Sequence, residues 1–235
     1  MDAGRAFTYV FEDRDWVSKI AIMVIMMFAS IFLMPVIFLG FAPLCMLLGY
    51  MAEIVRNVRD EQSMILPKWD DYGKLFNTGF GVLIGFIIYN TPMFIMGFCL
   101  TSAGGVISDD LISGFFTIIA LCCLVPIMLI YSVIFYPMLG IGMIRYLDTG
   151  RINAFFDLGG LFGTMTSMGA WTVQWLLYAI GVNLLFLFVG LIPCIGQIIY
   201  AAMVIPVQGH LLGQYAHAID QHGNPDKGKR KVVRG

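Results

Sequence analysis

Charge is what this chain lacks, and it lacks it in long blocks. Asp, Glu, Lys and Arg are absent from Ile20 to Ala52, from Leu75 to Ser108, from Leu111 to Ile144 and from Leu158 to Ile219. About 20 apolar residues suffice to cross the hydrocarbon core of a bilayer. Four such tracts, the last long enough for two helices, exclude an ordinary water-soluble domain. The composition agrees. Charged residues make up 12% of the 235 and hydrophobic ones 59%, whereas a soluble domain carries about 25% charged residues. Mean hydropathy is +0.84.

Other absences narrow the function. No G-x-x-x-x-G-K-[ST] loop, G-x-S-x-G elbow or H-E-x-x-H pair occurs, so the signatures of phosphate-loop, serine-hydrolase and zinc-protease chemistry are missing. No enzymatic activity is expected. The N-terminus lacks a basic segment followed by a short apolar core and a small-residue cleavage site, and no cleavable signal peptide is expected. With most of the chain committed to the bilayer, neither a soluble catalytic domain nor a nucleic-acid partner is expected. The cysteines, Cys45, Cys99, Cys122, Cys123 and Cys194, form no C-x-x-C pair. They read as small buried hydrophobes, not as a metal or redox centre.

What is present reads as an all-α polytopic membrane protein. Six transmembrane helices are expected, with five as the alternative, together with short interfacial amphipathic helices. Residues 1–19 mix Phe7, Tyr9, Phe11 and Trp16 with charges and suit an N-terminal interfacial segment. Residues 20–219 form one transmembrane domain, and 220–235 a basic flexible tail. The first uncharged tract holds 33 residues, about 50 Å as one helix against a core of about 30 Å. Met34-Pro35, Gly40 and Ala42-Pro43 divide it into two short helices, about 18–34 and 41–58, or kink a single one. Leu66 to Phe76 reads as an interfacial helix begun by Pro67, with Trp69, Tyr72 and Phe76 on one face and Asp70 and Asp71 in its first turn. Spans follow at about 79–101, at 112–144 with kinks at Pro126 and Pro137, and at 169–190 and 197–214 around a turn at Leu191 to Gly196.

In the six-span arrangement all 14 Lys and Arg fall on one side. The other side receives Asp109 and Asp110. This bias places both termini in the cytoplasm and favours six spans over five, which would put the N-terminal bases outside. A weak repeat is also visible. Asp71-Tyr-Gly-Lys-Leu-Phe-Asn-Thr78 aligns with Asp157-Leu-Gly-Gly-Leu-Phe-Gly-Thr164, and Asp15-Trp-Val-Ser18 with Asp110-Leu-Ile-Ser113. It reads either as a two-fold duplication of about 15–101 and 110–192, as in many transporters, or as the same interface chemistry selected twice.

The strip Gly49-Tyr50, Glu53, Arg56 followed by Leu66-Pro67-Lys68-Trp69-Asp70-Asp71-Tyr72-Gly73-Lys74 resembles a family of bacterial and archaeal multi-pass membrane proteins known only as a domain of unknown function. Asp15-Trp16-Val17-Ser18-Lys19 fits the start of that pattern. Arg145-Tyr146, Thr149-Gly150-Arg151 and Ala154-Phe155-Phe156 fit its later part. The resemblance implies a prokaryotic cytoplasmic-membrane protein and brings no activity or catalytic residues.

Candidate structural or interface residues are Trp69, Asp70, Asp71, Glu53, Arg56, Arg145 and Arg151. Glu53 and Arg56, three apart, can pair on one helix face. Asn90-Thr91-Pro92 interrupts a span, and either lines a pathway or merely kinks and packs the helix. His210 and His217 share a helix face, but Gln208, Gln214 and Tyr215 around them read as a helix reaching the polar interface. No cofactor and no metal is expected. Trp69, Trp171 and Trp175 read as interfacial anchors, and the Met-rich face Met23, Met26 and Met27 as flexible packing. Expected partners are membrane lipids and other membrane subunits or a second copy of the chain. Two functional classes remain open: an accessory, assembly or scaffold subunit, and a small transporter or channel.

Overall fold

The computed structural model describes residues 1–36, 39–106, 110–193 and 195–223. Cys194, Asp109 and most of the tail lie outside them. Every regular element among the described residues is helical. In chain order they are α1 (Ala3–Thr8), α2 (Trp16–Leu33), α3 (Phe41–Arg59), α4 (Tyr72–Val106), α5 (Asp110–Thr149), α6 (Leu158–Ser167), α7 (Gly169–Gly190) and α8 (Ile195–His222). Short 3₁₀ turns at Tyr9–Glu12 and Ile152–Phe155 complete the list. Six helices, α2 to α5 with α7 and α8, are long and apolar enough to cross a membrane.

Local chemistry sets the boundaries. Turns from Met34 separate α2 from α3, because proline and glycine cluster there. Asp71 caps α4 by accepting the Lys74 N–H at 2.9 Å, and Asp157 caps α6 through the Gly160 N–H at 3.1 Å. The two aspartates of the repeated stretch therefore do the same local job. The leucines four residues later, Leu75 and Leu161, are both buried. α4 and α5 run unbroken through Pro92, Pro126 and Pro137.

The strip before α4 departs from expectation. Residues 62–71 form no helix, and α4 starts only at Tyr72. Side chains from the bundle take the carbonyls that a helix would use. Asn57 Nδ2 donates to the Ile65 carbonyl at 3.0 Å, Lys19 Nζ to Leu66 at 3.0 Å and the Tyr50 hydroxyl to Pro67 at 3.1 Å. With its acceptors occupied and an N–H missing at Pro67, the strip is a non-helical strap with several bends.

α3 packs most extensively on α4 and α8. At the α3–α4 crossing the backbones nearly touch. A Cβ on Gly79 would collide with the Cys45 carbonyl and sit 2.6 Å from the Gly49 nitrogen. Small residues at close spacing are how membrane helices gain van der Waals contact without a hydrophobic driving force. α8 lies at the centre, with Val207, Leu211, Tyr215 and Ala216 fully covered. The Trp175 expectation is corrected here. The ring is 2% exposed and stacks between Tyr136 at 5.2 Å and Tyr215 at 5.4 Å. The face of α7 that carries it turns into the bundle against α5 and α8. Trp171 remains partly exposed beside His222.

Candidate functional site

The polar residues converge at one end of the bundle. Arg59, at the end of α3, joins three helices there. Its Nη1 lies 2.5 Å from Asp148 on α5, and its Nε lies 2.6 Å from Asp220 on α8. One turn earlier, Arg56 Nη1 meets Glu53 at 2.6 Å while Nη2 donates to the Leu147 carbonyl at 3.1 Å. Lys74 on α4 adds a second cation, 3.2 Å from Glu53. Arg145 clamps α6 to α5 through Asp157 at 2.8 Å, the Gly160 carbonyl at 2.9 Å and Thr164 Oγ1 at 2.8 Å. Lys19 is tied to Asp13 at 2.6 Å with both side chains about nine-tenths covered.

Burial pushes the Asp13 carboxyl up. The Lys19 hydrogen bond, the Asp15 N–H and the Lys19 charge together outweigh it, so the group sits below the usual carboxylate range. These bonds draw the starts of α2 and α4 and the ends of α3, α5 and α8 to a common end. The sequence had assigned these bases to one side.

Most of the expected interface residues therefore act in the bundle's own cohesion. Trp69 stacks on Tyr50 with ring centres 4.4 Å apart and planes 10° from parallel, and its Nε1 donates to the Lys19 carbonyl at 3.2 Å. Asp71 is a helix cap. Asp70 is exposed and shares a shallow pocket of about 230 Å³ with Glu53 and Lys74. Arg151 is exposed at the start of the second 3₁₀ turn. Asn90 and Thr91 do not break α4. Their side chains donate back to the Phe86 carbonyl at 2.8 Å and the Ile87 carbonyl at 2.7 Å, which satisfies them within the helix. Asn90 also borders a cavity of about 300 Å³ with Ser132 and Asn183.

A sizeable cavity lies at this same end. It measures about 540 Å³, and its lining includes Asp2, Arg5, Glu61, Gln62, His210, Gln214, His217 and Gln221. The spacing 210, 214, 217, 221 is a single stripe along α8. The N-terminal segment covers it. Gln214 accepts the Asp2 N–H at 2.7 Å and donates to the Asp2 carbonyl at 2.8 Å. Tyr9 stacks on His210 at 4.5 Å and donates its hydroxyl to the Pro206 carbonyl at 3.0 Å.

His210, Gln208 and Tyr215, read from sequence as interfacial, are thus all buried. Gln208 donates to the Ala179 carbonyl at 3.3 Å, and Tyr215 pairs with Thr172 at 2.6 Å. Sequence reasoning found His210 and His217 but missed Asp2, Arg5 and Glu61. The His/Gln stripe was legible in the spacing. The lid was not, because Asp2 and Gln214 stand 212 residues apart.

His217 faces Glu61. Its Nδ1 lies 3.0 Å from the Arg59 carbonyl, while its Nε2 is 2.6 Å from Gln221 Nε2 and 3.4 Å from Glu61. Glu61 adopts φ +53° at the end of α3, where Gln62 N–H closes back on the Asn57 carbonyl at 2.9 Å. Glycine is the usual residue at such a position. Among the described residues, no three His, Cys, Asp or Glu side chains are placed to hold a metal.

Fold and site together define a polytopic α-helical membrane protein whose polar groups cluster at one end. The chain belongs to the family described as protein of unknown function (DUF4013), whose model matches residues 32–195. No curated protein and no solved structure matches it.

Proposed function

We propose that this protein is a non-enzymatic accessory, assembly or scaffold subunit of a prokaryotic cytoplasmic membrane, acting through helix packing with other membrane subunits or with a second copy. The observation that carries the reading is the contrast between the two ends. At the basic end, Arg59, Arg145 and Lys74 are engaged in ion pairs that join helices. Arg56 pairs with Glu53 within α3 and reaches α5 through the Leu147 carbonyl, and Lys19 pairs with Asp13 just before α2. Toward the other end, α4 and α5 extend for 35 and 40 residues, well beyond the roughly 20 a span requires. There they expose Phe94, Ile95, Phe98, Ile118, Ile127 and Ile130. Apolar helix faces exposed in this way suit lipid or a neighbouring transmembrane helix.

A small transporter or channel is the second reading, favoured by the large polar cavity and by the cavity beside Asn90 and Asn183. Mass measurement after mild detergent extraction separates the two. A fixed-ratio complex that is lost in Phe98→Ala supports the subunit reading. A lone monomer that conducts solute in vesicles refutes it. The clustered bases support a cytoplasmic position for both termini. A periplasm-active reporter fused after Gly235 is expected to be silent, and strong activity would overturn that orientation.

A further inference from the structure

The lidded cavity contains two hydrogen-bond donors that the protein itself does not use. The first is on His210. Gln214 is oriented by the Asp2 N–H, which requires the amide oxygen, so the Gln214 NH₂ faces the Asp2 carbonyl and, at 2.9 Å, His210 Nδ1. An NH₂ facing Nδ1 makes that nitrogen an acceptor, and the neutral ring then carries its proton on Nε2. His210 is 3% exposed. Its Nε2 has no partner among the described residues, yet it is not sealed by protein, a condition met there only by the Trp175 indole nitrogen. His210 lines the cavity, and Nε2 is its ring nitrogen left for a ligand there. The second donor is the Arg5 guanidinium. It lines the same cavity, forms no ion pair among the described residues, and acts electrostatically on His210.

The acids nearby have other engagements. Asp2 Oδ1 accepts the Arg5 backbone N–H at 3.0 Å, and Glu61 faces His217. A planar guanidinium fork beside a fixed N–H donor matches the oxygens of an oxyanion. We propose that Arg5 and His210 form a binding site for a phosphate group. The cavity lies at the end of the bundle, where both lipid headgroups and cytoplasmic solutes present that chemistry. The lid itself supplies Arg5, so binding holds the N-terminal segment in its place on α8.

The full chain in nonionic detergent is titrated calorimetrically with inorganic phosphate and, separately, with dihexanoyl phosphatidic acid. Saturable one-to-one binding of inorganic phosphate identifies a soluble source. Binding of phosphatidic acid alone identifies a headgroup. In either case Arg5→Gln is expected to weaken binding at least about tenfold, the loss of one charge-assisted contact. Its melting without ligand should match the parent, because Arg5 is exposed and engages only its backbone. The His210 Nε2 resonance of the unmodified protein should shift on saturation. No saturable binding of either probe, equal affinity in Arg5→Gln, or an unmoved Nε2 resonance overturns the site.

Discussion

Gly79→Ala tests whether the α3–α4 crossing holds the bundle together. The added methyl would sit 2.6 Å from the Gly49 nitrogen and collide with the Cys45 carbonyl. Non-bonded heavy atoms need about 3.5 Å, so the Gly49 contact alone asks the helices to part by about 1 Å and the Cys45 carbonyl asks for more. The obstructing atoms are backbone, and no rotamer can relieve them. Overpacking of this kind costs about 1–3 kcal/mol, and more where nothing yields. Alanine in a helix interior returns up to about 1 kcal/mol over glycine. The net loss is therefore about 1–2 kcal/mol.

Gly181→Ala on α7 is the control, because a Cβ there meets nothing within 4 Å. It should be neutral, or stabilising by up to about 1 kcal/mol. Equilibrium unfolding of the two purified variants, in one detergent and against rising denaturing surfactant, measures the difference. The expected gap is about 1–3 kcal/mol. Equal midpoints would refute the reading that this contact sets the helix separation.

Trp69→Ala should cost about 2–3 kcal/mol by removing the Tyr50 stack and the bond to the Lys19 carbonyl. Trp16→Ala, which loses an edge contact with Phe11, should cost visibly less in the same unfolding assay. Arg59→Gln leaves Asp148 and Asp220 without their shared cation and should cost about 2 kcal/mol, a buried-pair loss discounted because Asp148 is 38% exposed. Asp13 is held below the usual carboxylate range, so its stabilisation is complete above the ordinary carboxylate pKa of about 3.9 and is lost as pH falls through the lower folded value. A melting series toward low pH should show that acid loss shrink in Asp13→Asn. Elemental analysis and a visible spectrum of the purified protein should reveal no stoichiometric metal and no haem band, and a band abolished by His210→Ala would contradict that.

What the sequence alone determined is the membrane architecture. Hydrophobic length and the placement of bases are local, one-dimensional properties, and the bilayer enforces both. Six spans, the break between Leu33 and Phe41 and the helix over residues 169–190 were all readable for that reason. The helix caps at Asp71 and Asp157 are local too and their stretches match in sequence, although Asp71 reads there as part of the first turn of a helix begun at Pro67. Tertiary structure decided the rest. Leu66 to Asp71 has the composition of an interfacial helix, but Lys19, Tyr50 and Asn57 claim its carbonyls from elsewhere in the chain. Trp175 carries the composition of an anchor, yet α7 rotates it between Tyr136 and Tyr215.

The site followed the same rule. The stripe His210, Gln214, His217, Gln221 has helical spacing and could be seen in advance. Its lid could not, since Asp2 and Arg5 reach α8 from the far end of the chain. Nor could the partners of Arg59, which lie 89 and 161 residues away. Hydropathy says which segments enter the membrane. Only packing says which polar groups meet when they leave it.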